Sequence, residues 1–195
     1  MATDGREFLN WLAGWAANLP ESSLQDLVVD PRRVAVLSVD LVKGFWGEGP
    51  HASPPVVGID PAAVSLFERS YALGVRDLLL SQDAHDPDAL EFSAYALHAV
   101  AGSTESETVE ELGALPFTDE FVILENSSIS TSMGTDLLPW IEVHPEVRTF
   151  IIVGDCTDLC VPGCYGTPDA GQCRGLARLR VIVPANCVQT YDVPV

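Results

Sequence analysis

The chain has 195 residues, the size of one globular domain, and its 28 acidic residues against 10 basic ones give a net charge of −18. So negative a surface repels the phosphates that dominate nucleic-acid affinity, which argues against DNA or RNA as a partner. A chain of this size can bury roughly 70% of its unfolded surface and needs no disulfides, so its five cysteines, an odd number, read as reduced thiols of a cytoplasmic protein. No run approaches the roughly 18 uncharged apolar residues that span a bilayer, so no membrane is expected either.

Phe8, Trp11, Leu12, Trp15 and Leu19 recur at helical spacing before Pro20, and the stripe reads as core packing rather than a ligand site. Residues 1–30 are therefore taken as an N-terminal helical extension. Short apolar runs then follow at 34–39, 78–80, 121–124, 150–153 and 181–183, without the alternation of a half-exposed strand, which suits parallel strands covered on both faces. Helix-compatible segments separate them at 61–73, with Asp60 as its cap, at 103–112 and at 135–143. Strands alternating with helices predict one α/β domain on a mainly parallel sheet.

Ligands of such sheets bind beyond the carboxyl ends of the strands, which nominates Asp40, then Asp83 and His85, then Glu125, then the segment 155–160, and Asn186. Asp83 and His85, two apart in extended chain, project to one side, and Glu91 and His98 follow. An Asp/His/Glu/His set suits a divalent metal such as zinc, iron or manganese. The plainer alternative makes Asp83 a turn cap and the histidines surface residues.

Cys160 lies in Gly154-Asp155-Cys156-Thr157-Asp158-Leu159-Cys160-Val161, between a buried run and the expected start of a helix. There the backbone N–H groups and the helix dipole favour a thiolate and could hold an oxyanion, and Asp40 could take the thiol proton. Cysteines as buried apolar filler, or Cys156, Cys160 and Cys164 as ligands of a metal or cluster, are the rival readings.

Val36-Leu37-Ser38-Val39-Asp40 with Gly44-Phe45, Asp83-Ala84-His85, Glu91-Phe92, His98 before Gly102, and the 154–161 segment together resemble the isochorismatase-like cysteine hydrolases, and within them most closely the nicotinamidases. The resemblance runs from about residue 33 to Asp192. It implies a three-layer α/β/α, Rossmann-like hydrolase domain over 31–195 that ends earlier than family members do. The implied reaction converts nicotinamide and water to nicotinate and ammonia through a thioester on Cys160, in NAD salvage, with the possibility of a homo-oligomer. By the same resemblance Asp40 is the base and Asp83, His85, Glu91 and His98 hold the metal at the pyridine nitrogen. Phe45 and Tyr95 sandwich the ring, and the N–H groups of Cys156 and Cys160 form the oxyanion hole beside a cis Asp155-Cys156 peptide.

Two departures stand out. Where the family carries a catalytic lysine after the third strand, the matching position is read as Glu125, and the chain's one lysine, Lys43, lies elsewhere. A carboxylate there would raise the thiol pKa and repel Asp40. Residues 162–173 hold two prolines and three glycines where the family runs an apolar helix, a composition that a local reading-frame shift would produce. The alternatives are thus a catalytically impaired relative that binds metal and a small ligand, or a cysteine hydrolase of another small amide.

Overall fold

The computed structural model describes residues 5–164 and 179–191, with α1 (Gly5–Ala17), α2 (Leu24–Leu27) and α3 (Pro54–Val57) as its first three helices. Most of the Gly- and Pro-rich block, Cys173 and Asp192 lie outside the described residues.

Five strands form one parallel sheet: β1 (Val34–Val39), β2 (Asp77–Asp83), β3 (Val122–Asn126), β4 (Thr149–Gly154) and β5 (Arg180–Ile182), in the order β3-β2-β1-β4-β5. The runs in β1, β2 and β4 are strands buried on both sides, whereas the edge strand β3 alternates buried and exposed residues and β5 is partly exposed, contrary to expectation, because each edge strand has a neighbour on one side only. Val34, Val36, Leu78, Leu80, Ile151 and Val153 face one layer, with Phe67 of α4 (Asp60–Ala72) and Leu112 of α5 (Glu110–Gly113). Ala35, Leu37, Val39, Leu79 and Ile152 face the other, with Leu137 of α6 (Leu137–Val143) and Val161 of α7 (Cys160–Gly163). At about 1.5–3 kcal/mol for each fully buried aliphatic side chain, these two faces carry most of the fold's driving force. The architecture is the expected three-layer α/β/α.

Three local expectations are corrected. The N-terminal helix α1 (Gly5–Ala17) forms but buries none of its residues, with Phe8, Trp11 and Trp15 each more than half exposed. Both sheet faces are already covered by other helices, so its apolar stripe meets no free sheet face among the described residues. Asp60 is not a cap but the first residue of α4, after Ile59, and its buried carboxyl is pushed up to about 6 by desolvation and by Glu111. Residues 103–112 are not one helix. Lys43 N–H donates to Glu107 O at 3.0 Å and Val109 N–H to Leu41 O at 3.1 Å, so residues 107–109 run extended against the chain leaving β1, and only α5 is helical beyond them.

No helix among the described residues is long and apolar enough to cross a membrane.

Candidate active site

The chain winds outward from β1 through β2 to β3 and then returns to the other side of β1 as β4 and β5. The strand order reverses between β1 and β4, and a crevice opens there beyond their carboxyl ends. Gly154 pairs with Val39 at that point with φ +122°, and a Cβ on it would sit 2.0 Å from Val39 O, so only glycine allows the approach. Asp40 follows β1 in the left-handed region, φ 53°, which aspartate tolerates better than most residues. Its N–H donates to Ser81 O at 2.9 Å and that of Asp155 to Val39 O at 2.9 Å, which ties both acids to the strand ends. The Asp155-Cys156 peptide is trans, contrary to expectation; the unusual backbone at this strand end is that of Gly154, at φ +122°.

Cys160 opens α7, and the turn before it is closed on Cys156, whose carbonyl accepts from Leu159 N–H at 3.2 Å and from Val161 N–H at 3.1 Å. Asp40 is 1% exposed, and neither of its carboxyl oxygens has an aligned hydrogen-bond partner. Burial pushes its carboxyl well above the usual range, with the charges of Asp83 and Cys160 adding to the effect. The Cys160 thiol is also pushed up, first by its interaction with Cys156, then by burial and Asp83, while Asp40 acts against the shift. Asp155 is raised to about 7 by burial and then by Asp158 and Asp83. The crevice thus holds an acid and a thiol that interact directly and both favour the protonated form.

Asp83 ends β2 and His85 follows it; His98 comes from the loop beyond. One ligand atom from each lies within 4.8 Å of the other two, the span of a metal's first coordination shell. His98 Nδ1 lies 2.8 Å from Ala96 O, so Nδ1–H donates there and Nε2 is left with a free lone pair. Asp83 Oδ2 lies 3.2 Å from His85 Nε2 and Glu91 Oε1 lies 2.6 Å from His85 Nδ1, yet both ring nitrogens and Glu91 Oε1 are buried without an aligned hydrogen bond. The unpartnered Nε2 of His85, with the Asp83 carboxylate and the second ring nitrogen of His98 beside it, fits a divalent cation. Glu91, expected as a fourth ligand, is not part of that group. It approaches the other ring nitrogen of His85, as a carboxylate that orients the imidazole would.

A pocket over these groups is lined by Cys160 and Cys156, by Asp83, His85, Glu91 and His98, and by the expected ring contacts Phe45 and Tyr95. Phe45 is buried, whereas Tyr95 is 56% exposed at the rim. Sequence reasoning missed His51 and Tyr191, whose rings complete an aromatic wall with centroids 6.1 and 6.3 Å from that of Phe45. The scarcity of histidine, four in the chain, was the one signal that could have flagged His51. Asn186, nominated after the fifth run, is exposed and does not line the pocket.

Glu125 does not reach the site. It pairs with Gln82, whose side chain turns to Thr108 on the opposite sheet face, and it is exposed. The next residue, Asn126, pairs with Asp83, is 1% exposed, and folds its amide onto the backbone of Ser128.

No family model matches the chain. A search of solved structures finds an isochorismatase-like hydrolase from Alkaliphilus metalliredigens, 25% identical with a TM-score of 0.69 over 81% of this chain and 83% of that one. The chain has the isochorismatase-like hydrolase fold. Nicotinamidase 1 of Arabidopsis thaliana is 26% identical over 175 residues, covering 83% of this chain and 71% of that protein. The pyrazinamidase of Pyrococcus horikoshii, solved in complex with zinc, shares the fold with a TM-score of 0.63 at 19% identity, over 83% of this chain and 99% of that one. In this isochorismatase-like fold the Asp83/His85/His98 group and Cys160 border one pocket, with the buried Asp40 interacting with Cys160 behind it.

Proposed function

We propose that the chain is a metal-dependent amidohydrolase of nicotinamidase character, converting nicotinamide and water to nicotinate and ammonia through a thioester on Cys160. The observation that carries the reading is the Asp40–Cys160 interaction placed beside the Asp83/His85/His98 group. Asp40 in its ionised form, made a stronger base by burial, takes the proton of Cys160 as the sulfur attacks the amide carbon. Asp40 then returns that proton to the leaving nitrogen, ammonia departs, and water on the thioester releases the acid and restores the thiol. The N–H groups of Cys156 and Cys160 face the developing oxyanion, and Phe45, Tyr95 and Tyr191 hold the ring. A divalent cation held by Asp83, His85 and His98 would supply a Lewis-acid contact for the ring nitrogen. The test is ammonia release from nicotinamide by metal-loaded protein. Release that disappears in Cys160→Ala supports the reading, and no release from the parent overturns it.

A second reading, a relative that binds metal and a small ligand without turnover, is favoured by one observation. Asn126, not a cation, occupies the buried β3 position across from Asp83, and no Lys or Arg lines the pocket among the described residues. Isothermal titration with nicotinamide separates the two, since binding without ammonia release selects the second.

A further inference from the structure

Three described cysteines follow one another at intervals of four: Cys156, Cys160 and Cys164. The reaction proposed above uses the sulfur of the middle one alone. Cys164 is engaged elsewhere, its buried Sγ 3.3 Å from Thr131 Oγ1 and 3.3 Å from Cys160 O, and it does not line the pocket. Cys187 is buried in the hydrophobic layer on the α4 side of the sheet. Cys156 is different, because it lines the same pocket as Cys160.

The backbone between the two is a tight turn, with the Cys156 carbonyl bonded to both Leu159 N–H and Val161 N–H. The first of these bonds is that of a β-turn, which keeps the Cα atoms of Cys156 and Leu159 within about 7 Å, and Cys160 is the next residue, bracketed by the second bond. A disulfide needs about 4.4–6.8 Å between Cα atoms, a range that a turn folding Cys160 back toward Cys156 brings within reach. Of the groups around it, Cys156 also has the largest influence on the Cys160 thiol.

We propose that Cys156 is a resolving thiol, and that a hydroperoxide reaching the pocket converts Cys160 and Cys156 into an intrachain disulfide. The steps balance. The Cys160 sulfur, its proton passed to Asp40, attacks a peroxide oxygen; the O–O bond breaks, and with hydrogen peroxide Cys160 becomes the sulfenic acid and one water leaves. The Cys156 sulfur then attacks that sulfenic sulfur, the S–O bond breaks, the S–S bond forms and a second water leaves. Two thiols are oxidised by two electrons and one peroxide is reduced. A thiol reductant reverses the change by exchange. The consequence is protection, since a sulfenic acid captured by Cys156 does not proceed to the irreversible sulfinic acid. The inference rests on Cys160 being the reactive thiol of the proposed function but does not need amide hydrolysis.

The experiment treats the full-length reduced chain with hydrogen peroxide and follows intact mass, free-thiol count and site-resolved differential alkylation. Expected is the loss of two of the five thiols, both mapped to Cys156 and Cys160 and both returned by dithiothreitol. Cys156→Ser, checked for an unchanged melting curve, should instead accumulate sulfinic and sulfonic acid on Cys160, while Cys164→Ser should form the disulfide as the parent does. Pairing of Cys160 with Cys164 or Cys173, irreversible oxidation of Cys160 in the parent, or no reaction at Cys160 would each overturn the proposal. Because every readout is covalent, a failure of ammonia release is scored separately and bears on the amidase reading alone.

Discussion

Asn126 stands across from Asp83 in the β2–β3 ladder, while Glu125 stands across from Gln82. Residues paired in register on parallel strands share a sheet face, so this one step in register decides which side chain faces the crevice. Asn126 shares the face of the Asp83/His85/His98 group and is buried, whereas Glu125 is exposed. The charge reversal anticipated from the sequence therefore does not act on Cys160; the β3 residue on that face is a neutral amide held by Ser128.

That placement makes two substitutions behave differently. Glu125→Lys is a surface change and should leave stability within about 0.5 kcal/mol and any ammonia release unaltered. Asn126→Lys puts a cation beside the buried Asp83 carboxyl, whose charge helps hold the Cys160 thiol up, and should lower that thiol's pKa. Thiol alkylation rate against pH reads this directly: the profile should move to lower pH in Asn126→Lys and stay in place in Glu125→Lys. A shift in the second variant alone would reverse the assignment.

The Asp83/His85/His98 group makes a second graded prediction. Removing a ligand with Asp83→Ala or His98→Ala should abolish tight zinc binding, measured by competition with a chromophoric chelator. Glu91→Gln, which changes only the group on the far nitrogen of His85, should weaken it by about 10–100-fold. Equal loss from Glu91→Gln and His98→Ala would make Glu91 a ligand.

Asp60 yields a pH prediction away from the pocket. Its folded-state carboxyl is raised to about 6 from 3.8, chiefly by burial, so the protonated form is the one the fold prefers. The stabilisation from that preference is complete below pH ~4 and is lost as pH rises through about 6. Asp60→Asn, which cannot ionise, should match the parent at pH 4 and exceed it increasingly up to pH 7, by up to about 3 kcal/mol for a two-unit shift. Chemical denaturation across that range checks it; a constant difference at all pH values would contradict the cause given.

How much of this was legible in the sequence follows from where the physics is local. Val34–Val39 and the runs of β2 and β4 announced a parallel sheet because a strand buried on both faces is apolar without alternation. Asp40, Asp83, His85 and Cys160 could be named because each ends or follows such a run. What escaped depends on tertiary contacts. The step between Glu125 and Asn126 is a matter of register, Glu91's place on the outer nitrogen of His85 depends on a loop path, and His51 and Tyr191 meet Phe45 across distant segments. The exposure of Trp11 and Trp15 was hidden for the same reason, since amphipathic spacing states that a face is apolar but not that a partner exists.

The central claim is that Cys160 is the acylated nucleophile, and rapid quenching of metal-loaded protein with nicotinamide, followed by intact-mass analysis, tests it most directly. The account predicts a pyridine-3-carbonyl adduct that maps to Cys160, decays as nicotinate appears, and is absent from Cys160→Ala. Ammonia release at the parental rate from Cys160→Ala, or an adduct on another residue, would contradict it.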